Sequence, residues 1–126
     1  MGANVALGTY SHDKDPRLLE QALREARAMA GLGLPATVAL STHVEGIVSY
    51  LRGDAIGAEA SLRLAEQYCR RHQASVSELY SRRARAFVMG GRRGRLLLDE
   101  TAQALTDQGV ADVERWSAMK LPGFSR

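Results

Sequence analysis

Residues 50–67 read Tyr50-Leu51-Arg52-Gly53-Asp54-Ala55-Ile56-Gly57-Ala58-Glu59-Ala60-Ser61-Leu62-Arg63-Leu64-Ala65-Glu66-Gln67. A Gly-Asp pair separates two stretches whose small and apolar residues recur at helical spacing. Glycine supplies the left-handed conformation that ends a helix, and aspartate caps the next by accepting from its first unpaired N–H groups. The stretch is therefore a joint between two helices. If the joint recurs, the chain is a stack of hairpins, and its working surfaces are outer walls instead of a catalytic centre.

Similar punctuation recurs in both directions. Asp15-Pro16 opens a helix with an N-cap and a proline at the first position, where no N–H is lost. Its stripe runs through Leu18, Leu19, Ala22, Leu23, Ala26, Met29 and Ala30, and Gly31 or Gly33 ends it. Pro35 starts a second helix carrying Val38, Ala39, Val44, Ile47, Val48 and Leu51, ended by Gly53. Asp54 caps a third, with Ala58, Leu62, Ala65 and Cys69 on one face. Ser75 or Ser77 is the expected cap of a fourth, whose stripe is Leu79, Tyr80, Ala84, Phe87 and Val88 and which Gly90-Gly91 stops. A fifth includes Leu96, Leu97, Leu98, Ala102 and Leu105, with Gly109 after it. A short last turn over Val113–Met119 and a leading helix over residues 3–12 complete the expectation. No segment alternates with period two, so the expected class is all-α, with five to seven helices.

Sliding the sequence along itself exposes a repeat of 39 residues: Asp15 falls on Asp54, Leu23 on Leu62, Ala26 on Ala65, and a further step takes Ala65 to Ala104. Repeat turns are expected near residues 13–15, 53–54 and 90–94, with a capping tail over 110–126. One hairpin cannot bury its own apolar stripe, whereas stacked hairpins can. The expected architecture is an α-solenoid of antiparallel helical hairpins over residues 1–126. The start at Met1 leaves open whether this is a whole protein or the C-terminal piece of a longer array.

Composition agrees. The chain has 126 residues, 45% hydrophobic, 25% charged and only 6% aromatic, which suits helices packed through small and aliphatic side chains. The lone cysteine, Cys69, excludes an internal disulfide framework and fits a reducing compartment. No apolar run approaches the ~20 residues needed to span a bilayer. The first residues lack the basic and apolar regions of a signal peptide. A cytoplasmic location without membrane contact is the expectation.

The segment GIVSYLRGDAIGAEASLRLA resembles a tetratricopeptide repeat. In that family small residues hold the eighth and twentieth positions, a turn lies near the fifteenth, and a large apolar and a small residue hold the twenty-fourth and twenty-seventh. Gly46, Gly53, Ala58, Leu62 and Ala65 stand there: Gly46 and Ala58 at the small positions, Gly53 at the turn, Leu62 and Ala65 at the last two. Glu45, Thr42 and Arg70 depart from an expected Leu, aromatic and Pro. More narrowly, LLEQALREARAMAGLGLP, ELYSRRARAFVMGGRRGRLLLDE and the tail GVADVERWSAMKLPGF resemble the C-terminal, tetratricopeptide-like end of large bacterial signalling proteins. Those combine a serine/threonine kinase or cyclase-like module with an ATPase. In the tail Gly109-Val110, Arg115, Met119 and Leu121-Pro122-Gly123-Phe124 carry the match. The resemblance implies a protein–protein interaction or scaffold role and no catalysis in this chain. It also implies that the first helix of each pair lines the concave face, which makes Thr42, Glu45, Ser49, Glu78, Arg82 and Arg85 the candidate partner-binding surface. The partner is another protein or the rest of a larger kinase or ATPase chain.

Other motifs point to no chemistry. Gly90-Gly91-Arg92-Arg93-Gly94-Arg95 lacks the strand, lysine and Ser/Thr of a phosphate-binding loop and reads as a helix–helix turn. His12, His43 and His72 are dispersed. His72 shares a face with Cys69, but two ligands do not make a zinc site, and Cys69 reads as a small packed residue. No nucleophile elbow is present, and Glu66, Asp99 and Glu100 read as solvated carboxylates. No cofactor or metal is expected. Trp116 and Phe124 read as the cover of the last repeat, with a recognition anchor as the alternative. The net charge is +3, and eight arginines fall between Arg70 and Arg95. That excess keeps two alternatives open, a small basic nucleic-acid-binding domain and a homo-oligomer that covers an apolar edge.

Overall fold

The computed structural model describes residues 15–110, 112 and 113, and these contain no strand. Five helices follow one another: α1 Pro16–Ala30, α2 Pro35–Leu51, α3 Ala55–Arg71, α4 Ser75–Met89 and α5 Gly91–Asp107. The anticipated leading helix at residues 3–12, the turn beyond Val113 and the tail residues Trp116 and Phe124 lie outside the described residues.

Two of the helices begin as their sequences dictate. The Asp15 carboxylate accepts from the Arg17 N–H at 3.0 Å and Pro16 follows it, while the Asp54 carboxylate accepts from the Gly57 N–H at 2.9 Å. Two others start without a capping side chain. α2 is preceded by Leu34 and α4 by Ala74, and neither offers a capping side chain. Neither Ser75 nor Ser77 caps α4, because Ser75 is already its first helical residue. The turns use left-handed residues: Gly33 (φ 73°), Gly53 (φ 86°), Gly90 (φ 61°) and Gly109 (φ 95°). Between α3 and α4 the same conformation falls to Gln73, at φ 58°, a position a side-chain-bearing residue occupies at a cost of roughly 1–2 kcal/mol.

Alternate helices start at uneven steps. Helices α1, α3 and α5 begin at residues 16, 55 and 91, so the first step is 39 residues and the second is 36. The second step is shorter in part because Gly90 alone joins α4 to α5. The counterpart of Ala65 is therefore Thr101 and not Ala104. Ala65 and Thr101 are both fully buried, whereas Ala104 is half-buried. By the same step Ala58 and Leu62 map onto Gly94 and Leu98, all four buried.

Each helix packs chiefly on its neighbours in the chain, and α2 also touches α4. The buried part of the α1–α2 seam is aliphatic: Leu19, Ala22, Leu23 and Ala26 meet Val44, Ile47 and Val48, while the ion pairs Arg27–Glu45 and Arg52–Glu20 lie at its exposed rim. Burial of each large member stabilises by about 1.5–3 kcal/mol. A second cluster joins Leu62, Leu79, Tyr80, Ala84 and Leu105, with Phe87, Val88 and Ala104 packed against it. Close backbone approaches rest on two glycines. A methyl at Gly46 would stand 2.7 Å from Leu62 Cγ, and one at Gly94 would stand 2.6 Å from the Ala86 carbonyl oxygen. α2 and α3, and likewise α4 and α5, come together where a side chain is missing.

Candidate functional site

Short turns reverse the chain at every joint, so α2 and α4 run in the same direction. Their N-terminal halves face each other across a groove of about 580 Å³. Leu34, Ala36, Ala39, Leu40 and His43 line it from α2 and the turn before it, and Val76, Ser77, Tyr80 and Ser81 from α4. Tyr68, Cys69 and His72, at the end of α3, complete the wall. The spacing explains the lining: Ala36, Ala39, Leu40 and His43 share one helical face, as do Val76, Ser77, Tyr80 and Ser81. Small residues on the α2 side hold the groove open, and Leu34 (56% exposed) and Val76 (38% exposed) stand at its mouth.

The groove is closed at depth by a polar contact between the two helices. His43 Nδ1 lies 2.8 Å from Ser81 Oγ, and both residues are buried. Cys69 is buried beside them, and burial pushes its thiol up, with Glu78 and Glu66 adding to the rise. It therefore stays a neutral thiol and not a thiolate nucleophile. Burial also raises the phenol of Tyr80, against the opposing pull of Arg83. Among the described residues no group of three His, Cys, Asp or Glu side chains could hold a metal ion.

Behind the groove a lattice of charges ties α3 to α4. Glu66 is only 4% exposed. It accepts from Arg85 Nε at 2.6 Å and Nη2 at 3.2 Å, and from Arg82 Nε at 3.1 Å. Arg82 Nη2 also donates to Glu78 at 3.0 Å, and Arg70 Nε donates to the same carboxylate at 2.8 Å. The hydrogen bond to Glu66 raises the Arg85 guanidinium further above its ordinary range. On another face of the same turn of α4, Arg83 is fully buried. Its Nη1 donates to the Leu98 carbonyl at 2.9 Å and to Thr101 Oγ1 at 3.3 Å, and its guanidinium lies 5.9 Å from the Phe87 ring centre.

The six surface candidates therefore fall into two sets. Glu78, Arg82 and Arg85 are brought together, but around Glu66, in the α3–α4 lattice. Thr42, Glu45 and Ser49 are half-buried on α2. Thr42 Oγ1 donates to the Val38 carbonyl of its own helix, and Glu45 lies 3.6 Å from Arg27 of α1. Among the described residues no hydrogen bond or ion pair joins the two sets. Glu66 is a correction: it reads as a solvated carboxylate in sequence and is instead the buried centre of the lattice. Arg83 is likewise not a surface cation. None of the six lines the groove, whose members from the same two helices carried no charge to draw attention.

No family model, no curated protein and no solved structure matches this chain. Among the described residues no helix is long and apolar enough to cross a membrane.

Proposed function

We propose that the chain is a non-catalytic protein–protein interaction module of tetratricopeptide type, in which the groove between α2 and α4 receives a segment of a partner. The single observation that carries this is the groove itself. Two helices, adjacent in space but not in sequence, leave about 580 Å³ open between apolar and small side chains, a volume typical of sites that enclose a ligand. A rigid helical scaffold holding such a groove suits capture of a peptide segment. The sequence resemblance to the ends of bacterial kinase- and ATPase-linked signalling proteins makes a signalling partner, or the remainder of such a chain, the favoured occupant.

Nucleic acid is the weaker reading. Of the eight arginines between Arg70 and Arg95, Arg70, Arg82 and Arg85 are paired with Glu66 and Glu78, and Arg83 is buried. Arg71, Arg92, Arg93 and Arg95 remain as exposed cations, a thin footprint for phosphate contacts.

Selection of peptides from a displayed random library tests the proposal. The wild-type protein is expected to enrich a related set, with binding measured by fluorescence polarisation. Ala36→Trp, at an exposed position on the groove wall, is expected to plug the groove and weaken that binding at least tenfold with an unchanged melting temperature. Failure to enrich any set, or indifference to Ala36→Trp, overturns it.

A further inference from the structure

We propose that the groove selects an uncharged apolar side chain of its partner, and that the phenol of Tyr80 fixes the neighbouring backbone carbonyl of that segment; this rests on the groove being the partner site. The lining holds no lysine, arginine, aspartate or glutamate. A charged group entering it would shed its hydration shell and find no opposite charge. At the floor the Cys69 thiol stays protonated and His43 is engaged with Ser81. Arg82, Arg85, Glu66 and Glu78 satisfy one another in the lattice behind it.

Tyr80 is the exception to this self-sufficiency. The residue is 6% exposed and packed among Leu62, Leu79, Ala84 and Leu105, yet among the described residues its hydroxyl has no hydrogen-bond partner. A buried tyrosine hydroxyl ordinarily has a partner. This oxygen is not among the side-chain atoms sealed from solvent without one, so it opens onto the groove that Tyr80 lines. Because burial raises the phenol, it stays protonated and available as a donor at physiological pH. An acceptor on the occupant completes it. A peptide carbonyl is the acceptor that every extended segment carries beside its side chain. A partner segment with an aliphatic or aromatic anchor therefore satisfies both the apolar wall and the buried donor that Tyr80 leaves over.

The test uses peptides enriched by the wild-type protein, acetylated and amidated at their ends, with the anchor position varied among Leu, Phe, Glu and Lys. Binding is measured at pH 8, where histidine at its ordinary pKa is neutral. Glu and Lys anchors are expected to bind at least tenfold more weakly than Leu or Phe. Tyr80→Phe deletes one oxygen and keeps the packing, and is expected to weaken the Leu and Phe peptides about fivefold, as loss of one hydrogen bond does. Val76→Glu, at the exposed mouth, is expected to bring the Lys peptide to within about threefold of the Leu peptide. The neutral dye N-phenyl-1-naphthylamine and its sulfonated relative 1-anilinonaphthalene-8-sulfonate form a second arm, in which the neutral dye is expected to bind more tightly. Peptides that bind in the groove whatever their anchor charge, or indifference to Tyr80→Phe, overturn the selectivity while leaving the partner site standing. If no peptide binds, both fall, and binding of the neutral dye alone then assigns the groove to a small molecule.

Discussion

The first and second hairpin seams solve the same problem with opposite chemistry. Between α1 and α2 the buried contact is aliphatic, with Val44, Ile47 and Val48 set against Leu19, Leu23 and two alanines, and the ion pairs Arg27–Glu45 and Arg52–Glu20 stay at the exposed rim. Between α3 and α4 the apolar contact is supplemented by Glu66, Arg82, Arg85 and Glu78, which hold the helices through charge-assisted hydrogen bonds. An aliphatic seam tolerates small shifts, because dispersion and water exclusion have no direction. A charged one fixes register, because a donor displaced by an ångström or two loses its acceptor. The groove lies between helices α2 and α4, one from each seam, and the directional seam is the one that also holds Cys69 and Tyr80 in place.

Truncation should separate the two seams most sharply. Ile47→Ala is expected to cost about 3–4 kcal/mol, the usual toll of a large-to-small change in a packed core. Glu66→Ala is expected to cost about 3 kcal/mol, because it strands the largely buried Arg85 guanidinium and leaves Arg82 with Glu78 alone. The seams then part company on repair: replacing Glu66 and Arg85 together by Met should recover most of the loss, since well-packed apolar residues substitute for a buried ion pair at little cost. Urea unfolding measures all three, and a Glu66→Ala cost below about 1 kcal/mol would show the lattice to be ornamental.

The next contrast concerns the two close approaches. In Gly94→Ala the new methyl meets a backbone carbonyl, which cannot rotate away, and a loss of about 2 kcal/mol is expected even after the helix-propensity gain. In Gly46→Ala it meets the side chain of Leu62, which can give way slightly, and about 1 kcal/mol is expected. Thermal melts rank the two, and the reverse order would mean that the α2–α3 joint is the stiffer.

The smallest effect belongs to an exposed charge pair, Asp15 with Arg17. The hydrogen bond from the Arg17 side chain lowers the Asp15 carboxyl below its ordinary 3.8, with the backbone N–H adding to it. A lowered folded-state pKa means that the contribution is complete above the ordinary value and fades as pH falls through the lowered one. Asp15→Asn keeps a capping oxygen and should leave the melting temperature at neutral pH nearly unchanged, while flattening its decline on acidification. The same titration of Glu66→Gln should instead start from a visibly lower melting temperature, the mark of a buried partner against a solvated one.

How much could be read in advance follows from the same divide. Helix ends were legible wherever a local device sets them, as at Asp15, Gly53, Asp54 and Gly109, because cap and turn chemistry acts within a few residues. The stripe Ala58, Leu62, Ala65 and Cys69 was legible because its period is intrinsic to the helix. Glu66 was not, since its partners Arg82 and Arg85 lie far along the chain and nothing local distinguishes it from a solvated glutamate. Arg83 was hidden for a similar reason, its acceptors being the Leu98 carbonyl and the Thr101 hydroxyl on the next helix. The run Leu96-Leu97-Leu98 left the face of α5 ambiguous. The one-residue turn at Gly90 resolves it by burying Leu98 and leaving Leu96 60% exposed. The groove escaped notice because uncharged small residues become a site through the space they leave.

Contacts that run almost wholly between successive helices give the molecule a further property. Few loops must close over long distances before packing begins, so assembly can start at any joint and spread outward, and dissolution can start at either end. A lesion at one joint then weakens a single link instead of the whole chain. The α3 helix, which packs most extensively on both its neighbours, is expected to keep its amides from exchange the longest.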